Sequence, residues 1–130
     1  MFEAVDSPAP APGHNLQARE MRLHALDVWV RSPAVLTDAP RLREVLYRAA
    51  AAGGATVLGE EFCVFPNGAV TGVLVLAQSH LSIHTWPEFA LANVDLLSYG
   101  DLDGERVLDE ICRRLDVERM SVTCIPRAIG

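Results

Sequence analysis

An α+β fold, a two-layer sandwich with a mainly antiparallel sheet and helices on one face, is predicted by three features of the 130-residue sequence. Two segments repeat apolar residues at helical spacing, Leu42, Val45, Leu46 and Ala49 in one and Val107, Leu108, Ile111, Cys112 and Leu115 in the other. Several strand-like stretches follow one another between those two segments. Pro66-Asn67-Gly68 reads as a tight hairpin turn, a connection that suits antiparallel neighbours. The length suffices for one real core and is short for two ordinary domains, so a single domain over 21–130 is expected.

Each element has its own signal. Over 1–20, Pro8, Pro10 and Pro12 alternate with Ala9 and Ala11 without apolar periodicity, a composition expected to form a flexible N-terminal extension, with Met21 as a candidate original first residue. Arg22 to Val30 suggests the first strand. Asp38 is a good helix N-cap, Pro40 suits the first turn, and Gly53-Gly54 stops that helix. Ala55 to Phe65 reads as a second strand, and Val70 to Ala77 is so apolar that it reads as a strand buried on both faces. From Leu81 the period becomes two, which puts His80, Ser82, His84 and Trp86 on one face and Leu81, Ile83 and Thr85 on the other, until Pro87 ends the ladder. Ala90 to Ser98 is a further strand, Gly100 to Gly104 a turn, Glu105 to Leu115 an amphipathic helix, and Met120 to Ile125 a last strand ended by Pro126.

Composition narrows the function. A net charge of −6 argues against a nucleic-acid or anionic-membrane surface, because either needs a basic footprint. No apolar run reaches the roughly 20 residues of a membrane-spanning helix, and the N-terminus lacks the basic start and apolar segment of a secretory signal. Cys63, Cys112 and Cys124 are odd in number, lack metal-type spacing and lie in apolar-patterned segments, as expected of buried free thiols in a reducing cytoplasm. All eleven basic residues are arginine, so no lysine can hold pyridoxal phosphate.

Chemically competent side chains gather between Gln78 and Glu88. His80 and His84 are spaced for a shared metal on a helix, but on a strand they stand roughly 13 Å apart, so no metal site is expected. Ser79, His84 and Glu88 or Asp95 could be drawn as a triad, yet the serine lacks a glycine-flanked elbow. On composition alone the stretch reads first as a strand with one polar face to solvent, against which stand Trp86 on that face and the change of pattern at Ser79.

The string Ser79-His80-Leu81-Ser82-Ile83-His84-Thr85-Trp86-Pro87-Glu88, with Asp95 and the Gly100-Asp101 turn, resembles the core signature of the short prokaryotic S-adenosylmethionine decarboxylases. The resemblance extends over Met21 to Ile125 and implies a self-cleaving, pyruvoyl-dependent enzyme of polyamine synthesis. By that likeness the Ser79 hydroxyl attacks the Gln78 carbonyl and the peptide becomes an ester; His84 removes the Ser79 α-proton, the ester leaves so that the chain parts between 78 and 79, and the dehydroalanine hydrolyses to a pyruvoyl group at residue 79. Thr71 falls where the family uses a serine hydroxyl to aid processing. Glu88 matches the ribose-binding acid, Phe65 is the candidate for stacking on adenine, and Trp86 joins them in substrate binding.

Two positions depart from the pattern. Gln78 replaces the usual glutamate before the cleaved serine, and Tyr99 stands where the family has a proton-donating cysteine; a tyrosine is the weaker acid, with a typical pKa near 10 against about 8.5. An extended strand also sets Ser79 and His84 roughly 16 Å apart, so either the chain bends or the histidine comes from a second subunit. A two-fold homodimer with shared sites, which the resemblance also implies, meets that requirement. The alternatives are a pyruvoyl-dependent decarboxylase of arginine or ornithine, and a homologue that never cleaves and acts as a binding or regulatory partner.

Overall fold

A computed structural model describes residues 20–128; the expected extension before residue 20 lies outside the described residues. The chain forms β1 (Met21–Val30), α1 (Ala39–Ala52), β2 (Val57–Val64), β3 (Val70–Leu76), β4 (Ser79–Trp86), β5 (Leu91–Tyr99), α2 (Gly104–Arg114) and β6 (Val117–Arg127). The six strands make one sheet in the order β2-β3-β4-β5-β1-β6, with every pairing antiparallel. This is the α+β architecture that the sequence predicts.

Alternation along the strands divides the side chains between two unlike faces. Leu26, Val28, Leu74, Leu81, Ile83, Val94 and Leu96 pack with Leu42, Val45 and Leu46 of α1 and Val107 and Ile111 of α2 in a single core. Each such side chain contributes about 1.5–3 kcal/mol on burial. The opposite face carries Thr71, Val73, Val75, His80, Ser82, His84, Asn93, Asp95 and Leu97, and no element among the described residues covers it. The apolar run from Val70 is therefore not buried on both sides: Val75 is 48% exposed. Both helices lie on one face, so only every second residue of β3 reaches the core.

Local chemistry sets the element ends. The Asp38 side chain accepts from Arg41 N at 3.1 Å and caps α1 with proline in the first turn. The helix stops where Gly53 passes so close to α2 that a β-carbon there would stand 2.3 Å from Val107 Cγ2 and 2.8 Å from the Asp103 carbonyl. Pro66-Asn67-Gly68 closes the β2–β3 hairpin: Gly68 N donates to Phe65 O, Phe65 N to Ala69 O, and Gly68 takes φ of 88°, a value that favours glycine. The β3–β4 connection is shorter, two residues between the paired Leu76 and Ser79, and its second residue, Gln78, is left-handed at φ 60°. An L-residue there stores of the order of 1–2 kcal/mol.

Two expectations are corrected. Cys63 and Cys124 are exposed because they lie on β2 and β6, the two edges of the sheet, and Cys112, on α2, is half-buried at the margin of the core. Pro126 does not end β6, which runs on to Arg127; an edge strand has no ladder on one side, so it tolerates the missing donor.

His24 is a buried polar residue that sequence periodicity did not single out. Its Nε2 lies 2.9 Å from Ser98 Oγ, and burial first, then the Arg22 charge, lowers its pKa below the ordinary histidine value, with Glu105 opposing. The fold thus favours the neutral ring. Its contribution is complete above the unfolded value near 6.5 and is lost as pH falls from there through the depressed value. The thermal midpoint of the wild type should accordingly drop by a few degrees more between pH 7.5 and 5 than that of His24→Asn, read by circular dichroism.

Candidate active site

The side chains that the sequence singles out fall into two groups at opposite ends of β4. The first lies on the uncovered face beside the β2–β3 hairpin. Thr71 and His84 are register partners across β3 and β4, which brings Thr71 Oγ1 to 2.5 Å from His84 Nδ1. That hydrogen bond engages one ring nitrogen and leaves Nε2 for other work. Trp86, two residues on and therefore on the same face, sets its ring edge-on to His84 at 4.4 Å between centroids, and Phe65 lies tilted at 6.0 Å. Pro87 turns the chain into a short 3-10 segment that carries Glu88, whose Oε2 accepts from Asn67 Nδ2 at 3.3 Å. Phe65, Asn67, Ala69, His84, Trp86, Glu88 and Phe89 line a cavity of about 530 Å³. Three aromatic rings, an imidazole and one carboxylate suit a flat, apolar ring system joined to a hydroxyl-bearing group.

The second group is Gln78, Ser79 and Tyr99. Ser79 opens β4 with its hydroxyl donating to the Leu97 carbonyl, and the left-handed Gln78 precedes it. The register that sets His80 opposite Leu97 brings the end of β5, with Tyr99, to the same end of the sheet. β4 is unbroken from Ser79 to Trp86, so the bend that would have joined Ser79 to His84 within one chain is not there, and the two are roughly 16 Å apart along the strand. The chain thus assembles Phe65, Thr71, His84, Trp86 and Glu88 at one end and Gln78, Ser79 and Tyr99 at the other. Asn67, Phe89, Asn93 and Asp27 also belong to this face, and the sequence reading passed them over. Asn67 read only as a turn residue, a role it does fill through its Oδ1 bond from Ala69 N at 3.1 Å. Asn93 and Asp27 carry no local signal.

A family model described as S-adenosylmethionine decarboxylase matches residues 22–128. The chain belongs to that family. Among relatives of the S-adenosylmethionine decarboxylase family, a proenzyme of that name from Symbiobacterium thermophilum is 55% identical over 65 residues, which make up 50% of this chain and 49% of the relative. The Pseudomonas paraeruginosa proenzyme is 36% identical over 94 residues, 72% of this chain and 59% of that one, so the matched stretch spans about half to three-fifths of these two relatives. The Methanococcus maripaludis proenzyme is 37% identical over 105 residues, 80% of this chain and 86% of its own length. The crystal structure of the adenosylmethionine decarboxylase from Aquifex aeolicus superposes with a TM-score of 0.76 at 31% identity, covering 86% of this chain and 94% of that one. The decarboxylase family thus accounts for the sheet order and the two helices together.

Proposed function

We propose that this protein is a pyruvoyl-dependent S-adenosylmethionine decarboxylase, made by self-cleavage between Gln78 and Ser79, that supplies the aminopropyl donor for polyamine synthesis. The observation that carries this reading is the cavity in which His84, held from β3 by a hydrogen bond with Thr71, stands between aromatic walls with Glu88 at hand. Phe65 and Trp86 offer faces for an adenine ring, and Glu88 offers a carboxylate for ribose hydroxyls.

The residues around Ser79 suit conversion to a pyruvoyl group. Its part-buried hydroxyl is held by a main-chain acceptor, and the peptide before it belongs to a two-residue turn. A break there removes no strand from the sheet, because β3 stays paired with β2 and β4 with β5. At residue 79 such a group supplies a carbonyl that draws off the electrons released as carbon dioxide leaves. The chain's own residues bind and move protons. Thr71 orients His84 through Nδ1, Nε2 is the nitrogen available to take the Ser79 α-proton during processing, and Tyr99 is the donor that returns a proton to the product carbon.

The separation of Ser79 from His84 favours a two-fold homodimer in which the uncovered faces meet and each site draws on both chains. The region from residue 21 onward acts as one catalytic domain, and three unpaired thiols fit a reducing cytoplasm. No helix among the described residues is long and apolar enough to cross a membrane.

Release of carbon dioxide from carboxyl-labelled S-adenosylmethionine, arginine and ornithine tests the substrate. The first alone should be turned over. Glu88→Gln should raise KM for it roughly tenfold with cleavage intact, since a charge-assisted hydrogen bond is lost. Turnover of arginine or ornithine in place of the nucleoside would sink the assignment while keeping the chemistry.

A further inference from the structure

Trp86 is 39% exposed, yet its position is fixed from behind. Its Nε1 donates to Asn93 Oδ1 at 2.6 Å, and Asn93 Nδ2 donates to Asp27 Oδ1 at 2.7 Å. Asn93 is the register partner of His84 on one side and of Asp27 on the other, so Thr71, His84, Asn93 and Asp27 form one row across β3, β4, β5 and β1 on the uncovered face. The Asn93 amide does not bond to His84 beside it. It reaches diagonally to the indole two residues further along β4.

The direction of this chain is set at its far end. A carboxylate accepts only, so Asp27 draws the NH₂ of Asn93 toward itself and leaves the amide oxygen turned to Trp86. Indole N–H donates only, so the three groups fit in one sense. We propose that Asn93 and Asp27 are positioning residues: they lock the Trp86 ring in the rotamer that braces His84 and walls the substrate cavity. The proposal rests on the site reading above for its catalytic consequence, and on hydrogen-bond geometry alone for the restraint of Trp86.

The test therefore reads both. In a Trp29→Phe background Trp86 is the only tryptophan, and acrylamide quenching reports its freedom directly. Asn93→Ala is expected to raise the quenching constant about twofold and to raise KM for S-adenosylmethionine about fivefold, with a smaller change in kcat, as loss of one hydrogen bond implies. Asn93→Asp alone sets two carboxylates against each other and should loosen the ring as well. Combining Asn93→Asp with Asp27→Asn restores a donor facing an acceptor, and should return both quenching and KM to near the wild-type values. That pair carries the comparison even if Asn93→Ala fails to fold. Wild-type quenching in the single variants overturns the relay, as does a double variant no better than Asn93→Asp. A loosened Trp86 with unchanged KM overturns its part in substrate binding. If the wild type does not decarboxylate at all, the quenching series still decides the relay, and the failure belongs to the proposed function.

Discussion

A Ser79→Ala chain is expected to stay whole at 14.1 kDa under denaturing conditions, while the wild type separates into a piece ending at Gln78 and a borohydride-reducible piece beginning at a converted residue 79. Removal of the Ser79 hydroxyl takes away the only nucleophile placed next to that peptide in sequence, so the loss should be complete and not graded. Decarboxylation should vanish with cleavage, since the chain has no lysine through which another carbonyl cofactor could be anchored. The measurement is intact mass after long incubation. A wild type that also stays whole would leave the non-cleaving, partner-binding homologue as the better account.

The second large effect concerns His84. His84→Ala alone should lower activity by at least about a hundredfold, the usual range for a lost acid–base group. Ser79→Ala and His84→Ala chains made together should nevertheless recover activity. In a mixed dimer one site lacks both groups and the other has both, so random pairing leaves about a quarter of the sites intact. Differently tagged chains, purified for the mixed species and assayed for carbon dioxide release, give the reading. A mixed dimer that forms but is inactive would rule out sites shared between chains. This outcome is independent of which amino acid is the substrate.

Much of the architecture was legible because burial leaves a periodic trace. Leu42, Val45, Leu46 and Ala49 announce α1, and the alternation from His80 to Trp86 announces a strand with two unlike faces. What could not be read was adjacency. Asp27 and Asn93 are 66 residues apart, and they meet because β1 sits beside β5, a fact of sheet order that no local pattern carries. The same blindness put Cys63 and Cys124 in the interior: their segments have apolar composition, but edge position depends on which strands find partners. Val75 was misjudged for a related reason. Its composition suggested cover on both sides, and among the described residues only one side has it. The site itself emerged from the ten residues from Ser79 to Glu88 through likeness and not through periodicity. His24 with Ser98 was missed because a histidine in an apolar run gives no sign of whether its ring finds a partner across the sheet.

The left-handed Gln78 bears on how readily the proposed cut would open. While the peptide is intact, the two-residue turn obliges Gln78 to hold φ at 60°. Once severed, Gln78 becomes a chain end with no turn to complete, and its backbone is free to return to the negative φ that side chains prefer. The hydrolysis that would turn residue 79 into a pyruvoyl group releases its nitrogen as ammonia, so no amine is left for Gln78 to rejoin, and that loss is what makes the proposed step one-way. The turn would act earlier: relief of the same strain, about 1–2 kcal/mol, favours parting of the chain over the intact, left-handed peptide.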